Sequence, residues 1–485
     1  MKNLVLCRYK KLSKSVRAAF WFTICNFLQK GISFVCLPLY TRLLPLEEYG
    51  LMSVMNSYQS IFIILATFEL SLGAYQRGIL KYKTNISLYT QSIILLSNII
   101  TFFFLLIVCL LHNYIFKISG LTFGLIILMC IYFFFYTPYN CWLNLKRFEY
   151  DYKPAVLVSL FFSFGSGFFP IFALYCCSRT AKVEVGATLI FGIMVFIPFW
   201  IKYFHFNDII CNIKNIKQYI VFALKFQIPL VFHSLSFYIL SQSDRLMIKA
   251  FNSTSNVAFY SVAYSLAYVI IIFQNSLNQV LKPWRYQKLE EKRYDEIKRQ
   301  SNMLMVAVGV VVTIFALIIP EVFKLLFDDK YYEAISVMPP VTLSVFFVFL
   351  YTISVDIESY YGHTKLIGYI TSTSAVINII LNYVFLKVFD YYICAYTTLL
   401  CYIIMSTLHA FSLRKLCREE KVENEPIDIK FMRKISIGLI ALFMLIIWNY
   451  NNLIVRYIVL IIILILIVLK RHSITKAWQW LNQKE

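Results

Sequence analysis

About 14 stretches of this chain are each apolar for the length needed to cross a hydrocarbon layer, and only short polar breaks separate them. An α-helix rises about 1.5 Å per residue, so a core about 30 Å thick takes roughly 20 residues. The stretches run near 18–39, 50–72, 88–111, 121–142, 154–177, 183–203, 219–242, 257–280, 302–327, 334–356, 366–388, 391–413, 431–448 and 453–469. Backbone amides have no water to bond in lipid, so runs of this kind predict helices. The class that follows is an all-α polytopic membrane protein. With 60% of the residues hydrophobic and no loop much beyond 20 residues, no soluble catalytic domain fits.

The basic residues set a topology. With the N-terminus on the cytoplasmic side, alternate loops receive about 34 of the 46 Lys and Arg residues, and the opposite loops about nine. That asymmetry is what the positive-inside rule requires, and it predicts both termini cytoplasmic in a multi-pass membrane protein. The inner set includes 2–17, 282–299, 414–434 and the 470–484 tail. Trp21, Trp142, Trp200, Trp284 and Trp448 fall at or near span ends, as an aromatic belt does, and Trp478 and Trp480 are placed on the inner surface. The first span follows a basic segment as a signal peptide would, but it is too long, continues into Lys30 and lacks a small-residue cleavage site. It reads as retained. The formal charge of +21 therefore records topology, and nucleic acid is not an expected partner.

Chemical motifs are sparse. The sequence has no phosphate-cradling loop, no dinucleotide turn, no nucleophile–base pairing and no Cys or His cluster with metal-ligand spacing. The 12 Cys lie mostly inside spans, and the adjacent Cys176 and Cys177 read as lipid- or core-facing rather than bridged. No catalytic residue, metal or cofactor is expected. Uphill movement of a solute would draw on an ion gradient or a downstream sink.

A faint repeat divides the first twelve spans. Thr41-Arg42-Leu43-Leu44 followed by Tyr49-Gly50 returns as Asp244-Arg245-Leu246-Met247 followed by Phe259-Tyr260, and Lys153 before span 5 returns as Lys365 before span 11. Six spans per half is even, so the halves would share orientation about an axis along the membrane normal. The predicted divisions are 1–215, 216–415, and 416–485 for two added spans with a tail.

Polar residues concentrate on the first two spans of each half. Span 1 carries Asn26, Gln29, Lys30 and Ser33 at three- and four-residue spacings, and span 2 carries Asn56, Gln59, Ser60 and Glu69. Span 7 carries Lys225, Gln227, His233, Ser234, Ser236 and Gln242; span 8 carries Gln274, Asn275, Asn278 and Gln279. Hydrocarbon offers these groups no partner, so the faces are expected to meet one another or water in a central cavity. Lys30 lies deep, where a Lys costs about 2.5–3.5 kcal/mol to insert. Lys225 stands about two turns into its span, and for it snorkelling to the interface is an equal reading. Glu69 has two readings, ion coupling or a counter-ion to the lysines; His233 likewise reads as packing residue or proton carrier. Arg42, Arg77 and Arg245, at span ends, read as cavity-mouth groups or as contacts to lipid phosphates. Deep cations outnumber deep acids, which favours an anionic passenger. Pro38, Pro138, Pro170, Pro198, Pro229 and Pro320, with Gly165-Ser166-Gly167, provide places to bend.

Several of these segments together resemble the Wzx-type polysaccharide flippases of the MOP superfamily, relatives of the MATE exporters. They are Pro38-Leu39-Tyr40-Thr41-Arg42-Leu43-Leu44 with Glu48-Tyr49-Gly50-Leu51, Leu72-Gly73 with Arg77, Lys225-Phe226-Gln227-Ile228-Pro229-Leu230 with Asp244-Arg245 and Tyr260-Ser261, and Asn378-Ile379-Ile380-Leu381-Asn382-Tyr383. The resemblance covers essentially the whole chain. It implies two six-helix bundles in a MATE-like pseudo-twofold arrangement plus two C-terminal helices that help form a groove for a lipid tail. It also implies translocation of undecaprenyl-diphosphate-linked oligosaccharide to the outer leaflet by alternating access, for O-antigen or capsule, beside a polysaccharide polymerase and a chain-length regulator. Carried over, Lys30 and Lys225 become diphosphate or anionic-sugar contacts, Arg42 and Arg245 stand at the outer mouth, and Asn26, Gln29, Gln274 and Asn278 line the cavity. One departure concerns Glu69-Leu70-Ser71-Leu72-Gly73, where many relatives have Gly-Leu-Gly; Glu69 is thereby tied to this substrate or its coupling ion. The competing readings are a MATE-like drug or cation exporter, which should want an acidic site, and a membrane-embedded polymerase, which should want a substantial outer loop.

Overall fold

The structure is a computed structural model that describes residues 14–469 apart from 421, 423 and 451. The basic N-terminal residues and the Trp478 and Trp480 tail expected on the inner surface lie outside the described residues. Among the described residues there is no strand. The helices are α1 Lys14–Leu43, α2 Leu46–Thr67, α3 Gly73–Lys81, α4 Ile86–Leu110, α5 His112–Ser119, α6 Phe123–Phe148, α7 Tyr152–Cys176, α8 Ala181–Tyr203 and α9 Phe206–Cys211. They continue as α10 Ile213–Phe251, α11 Thr254–Glu290, α12 Tyr294–Leu326, α13 Met338–Tyr360, α14 Thr364–Phe385, α15 Ile393–Glu419, α16 Ile429–Trp448 and α17 Leu453–Leu469. Among the described residues, thirteen helices are long and apolar enough to cross a membrane, and α17 is a shorter apolar one of 17 residues, in keeping with the expected count. The protein is a multi-pass membrane protein.

Several helices outrun their apolar stretches. α10 has 39 residues and α11 has 37, so each is longer than the roughly 30 Å of hydrocarbon by several turns. The expected loop between spans 8 and 9 is thus mostly helix, with a turn at residues 291–293. Each of the six prolines noted above lies inside a helix.

The second span ends earlier than its hydropathy suggests. α2 stops at Thr67 because Phe68 and Glu69 both adopt left-handed backbone, each with φ 49°. Two successive non-glycine residues in that region are strained for L-amino acids. The Thr67 hydroxyl accepts from the Glu69 amide at 3.2 Å and so supports the break.

The chain clusters into two compact units, one of the residues up to Val262 with Thr371–Cys394, the other of Ala263–Ile370 with the residues from Ala395 onward. This differs from the 1–215, 216–415 and 416–485 division, because α10 packs along α2, α3 and α4 and so belongs with the first unit. Within the first unit α6 pairs with α8, and α7 packs on α1 and on α8. Within the second unit α12 supports α13, α16 and α17.

Close helix contacts explain the signature around residue 48. The Glu48 carboxylate accepts from the Ala181 amide at 2.7 Å, which satisfies a donor at the start of α8 that has no partner within its own helix. Tyr40 donates its hydroxyl to the Gly167 carbonyl at 2.7 Å and ties α1 to α7. Gly50 lies where any Cβ would stand 1.7 Å from the Thr254 carbonyl oxygen at the start of α11. Because backbone cannot swing aside, Gly50→Ala must push the helices apart at a cost of about 1–3 kcal/mol or more. Thermal unfolding in detergent should show Gly50→Ala melting well below wild type; an unchanged midpoint would mean the contact is not present in the folded protein.

Candidate functional site

The first unit carries a polar seam where α10 meets α2 and α3. Its lower part begins at the break after α2. Gln227 is buried, and its side-chain oxygen accepts from the Ala74 amide at 2.9 Å, capping α3 from a neighbouring helix. A Cβ on Gly73 would stand 2.5 Å from Leu230 Cδ1 and 2.8 Å from the Gln227 oxygen, so glycine is what lets α10 close on this turn. The Arg77 guanidinium lies over the Phe226 ring at 5.0 Å. Three expected motifs, Leu72-Gly73, Arg77 and Phe226-Gln227, are therefore one contact.

Further along α10, a second cluster is built around Asp244. This carboxylate is fully buried, takes the Tyr260 hydroxyl on Oδ2, and takes the Asn382 amide on Oδ1 at 2.7 Å. Asn382 also donates to Asn378 Oδ1 at 3.2 Å, which receives Ser243 Oγ at 3.0 Å. Arg245, half-buried, donates to Ser261 Oγ and to the Ser241 carbonyl, both at 3.1 Å, and to Gln242 Oε1 at 3.3 Å. Ser57 of α2 donates to the same Gln242 oxygen at 3.0 Å. Asp244-Arg245, Tyr260-Ser261 and the Asn378 to Asn382 segment, separate in sequence, thus form one network. Chemically it holds a buried carboxylate by hydrogen bonds, which makes it a stiff join between α10, α11 and α14.

The other expected site residues have the following places. Lys30 on α1 and Lys225 on α10 are both exposed, while Asn26 is half-buried. Gln29 donates its amide to the Ser159 carbonyl of α7 at 3.1 Å and so ties α1 to α7. Arg42 is exposed in the last turn of α1, where the helix dipole favours a cation. Glu69 sits half-buried in the break after α2 and forms no salt bridge among the described residues. His233 is half-buried, with Nδ1 lacking a hydrogen-bond partner. Gln274 and Asn278 belong to the second unit. They line a small cleft there with Asn275, Arg285 and Thr352, and Gln274 donates to the Val345 carbonyl at 3.2 Å.

Three charged arrangements of the second unit lie outside the expected site residues. Arg285 is buried against Asp356, which also holds Lys282 at 3.2 Å. Glu358 and His409 are fully buried and 2.8 Å apart. Arg456 of α17 makes two hydrogen bonds to Glu321 at 2.7 and 2.9 Å and a third to the Leu317 carbonyl at 2.8 Å. With Tyr450 donating to the Ala316 carbonyl at 3.2 Å, this fastens the added helices to α12. An isolated Arg in a hydrophobic run was the available sign, and its pairing partner lay 135 residues away.

This all-helical fold, with long helices and a polar seam among α2, α3 and α10, is shared with solved membrane transporters. Over 93% of this chain and 99% of the other, it is similar to the lipid II flippase MurJ in an inward closed conformation, with TM-score 0.69 and 15% identity. It is also similar to an inward-facing multidrug resistance MATE family transporter of the MOP superfamily, with TM-score 0.62 and 12% identity over 83% of this chain and all of that one. A family model described as polysaccharide biosynthesis protein matches residues 15–288, and the chain belongs to that family. A second model, MatE, matches residues 229–384. A Haemophilus influenzae protein named for the Lsg locus is 22% identical over 368 residues, which is 73% of this chain and 87% of that protein.

Removing the Asp244 carboxylate takes away the acceptor that the Tyr260 hydroxyl and the Asn382 amide share, and a hydrogen bond to a charged group contributes about 1.5–3 kcal/mol. Asp244→Ala should therefore lower the detergent melting midpoint clearly more than Asp244→Asn, which keeps an acceptor. Equal midpoints for the two variants would show that the carboxylate does not organise the network.

Proposed function

We propose that this protein is a flippase that carries undecaprenyl-diphosphate-linked oligosaccharide units across the bacterial inner membrane by alternating access, for assembly of a surface polysaccharide such as O-antigen or capsule. The observation that carries the reading is the pair of exposed lysines, Lys30 and Lys225, set within the apolar helices of a chain of the polysaccharide biosynthesis family. A Lys in such a helix is costly unless it meets water or an anion, and a diphosphate offers two or more negative charges to meet. The likeness to a lipid II flippase supports the same substrate chemistry, a lipid diphosphate bearing a glycan. On this reading the chain is a transporter and not an enzyme, Arg42 and Arg245 stand at the outer mouth, Asn26 of the first unit and Gln274 and Asn278 of the second are each candidate cavity-lining groups, and Gln29 acts by holding α1 on α7. Glu69 and His233 are candidates for ion coupling. Both termini are cytoplasmic, and a polymerase and a chain-length regulator work alongside.

The MatE match over residues 229–384 favours a second reading, an ion-coupled drug or cation exporter. One experiment separates the two. Cells lacking the gene should lose surface glycan and accumulate the lipid-linked precursor, with wild-type plasmid restoring export. Lys30→Glu and Lys225→Glu should insert normally in the membrane and restore little or none. Full glycan display by both variants would remove the lysines from the mechanism, and a deletion that leaves glycan intact while drug tolerance falls would establish the exporter.

A further inference from the structure

Where α3 meets α10 in the first unit, exposed cations stand over aromatic rings. The Arg77 guanidinium lies over the Phe226 ring at 5.0 Å, and one turn further along α3 the Lys81 ammonium lies over the Phe222 ring at 4.4 Å. Phe222 and Phe226 are likewise one turn apart on α10, so the two helices form a ladder of paired rings and cations. Lys225, also exposed, stands at its edge. Other rings hold the ladder from behind. Tyr82 packs on Phe222 at 5.4 Å and on Tyr219 at 4.6 Å, and Tyr219 meets the fully buried Tyr89 at 5.6 Å.

The protein itself supplies no counter-charge. Among the described residues Arg77 and Lys81 form no ion pair and donate no side-chain hydrogen bond. Carboxylates at the same end of the unit are engaged elsewhere, Asp208 with Gln91 at 3.1 Å and both Glu149 and Asp151 with Lys146 at 2.9 Å. A ring face attracts a cation but is a poor hydrogen-bond acceptor, so the five donors of the guanidinium and the three of the ammonium remain open to an anion. Like charges four residues apart on a helix repel, and an anion shared between them removes that repulsion.

The flanks of the ladder are apolar. Leu80 of α3 and Val221 of α10 are exposed, each next in sequence to a member of the ladder. The apolar stretch of α10 begins near residue 219, which sets these groups at the boundary of the hydrocarbon. A soluble anion leaves Leu80 and Val221 uncovered, whereas a lipid brings a charged head and hydrocarbon together.

We propose that this ladder binds the headgroup of an anionic phospholipid, its phosphate shared by Arg77 and Lys81 and its acyl chains lying over Leu80 and Val221. Of the two duties open to Arg77, cavity mouth or lipid phosphate, the seat on Phe226 favours the second. On the topology proposed above the site faces the cytoplasmic leaflet, whose negative headgroups attract basic residues. The bound phosphate steadies α3 against α10 just past the break at Phe68 and Glu69, a join otherwise held by Gln227 and by the close approach at Gly73. The site stands whether or not the flippase reading does.

The test melts the full chain in neutral detergent with dioleoylphosphatidylglycerol, dioleoylphosphatidylcholine or undecaprenyl diphosphate added. For wild type the phosphatidylglycerol should raise the midpoint by several degrees and the phosphatidylcholine should not, because a ligand of the folded state stabilises it. Arg77→Gln with Lys81→Gln should lose that difference. Lys430→Gln with Lys434→Gln, which removes the same charge at the same spacing from exposed positions on α16, should keep it. Equal shifts from the two phospholipids, an undiminished shift in the α3 variant, or an equal loss in the α16 variant overturns the site. A shift from undecaprenyl diphosphate with none from phosphatidylglycerol overturns the phospholipid assignment and gives the ladder to the lipid diphosphate. If the α3 double variant does not fold, Lys81→Gln alone decides: a smaller phosphatidylglycerol shift than wild type is expected, and an equal one overturns the proposal.

Discussion

A polar atom placed inside a bilayer has to find its partner within the protein, and most of what is particular to this structure follows from that demand. Backbone groups satisfy it inside long helices. Where a helix is interrupted, a side chain from another helix supplies the missing partner. Gln227 does this for the amide of Ala74 after the break at Phe68 and Glu69, and Glu48 does it for the start of α8. Such contacts hold a break at membrane depth without exposing backbone to lipid, and they fix which helices touch.

The two units meet the demand in different ways. In the first, the buried carboxyls include Asp244, which takes a phenol and an amide within a wider net of serine, asparagine and glutamine, and Glu184, which takes the Thr188 hydroxyl at 3.3 Å. In the second, charges are matched by opposite charges or by imidazole, as in Arg285 with Asp356, Arg456 with Glu321 and His409 with Glu358. A hydrogen-bonded carboxylate joins helices firmly.

The class of protein was legible from residue order because hydropathy and charge asymmetry act over whole segments and need no partner to be read. The apolar runs and the prolines within them reappear as helices, and the motifs around residues 73, 227, 244 and 378 fall at helix contacts. Their duties were less legible. Glu48, Gly50 and Gly73 are packing devices, since only assembled helices show that Gly50 faces a carbonyl. Gln29, read as a cavity group, is bonded to α7. Glu358, His409 and Arg456 drew no notice, because a polar residue near a span end looks like an interfacial one until its partner is known.

Residue order by itself determined that this chain crosses a membrane many times and that basic residues favour alternate loops, because each depends on local composition against a lipid slab. It also carried the family resemblance. Only the tertiary structure decided which polar groups meet. Asp244 and Asn382 are 138 residues apart, and Glu358 and His409 are 51 apart. Pairings over such separations are set by helix packing, and no periodicity within a single helix encodes them.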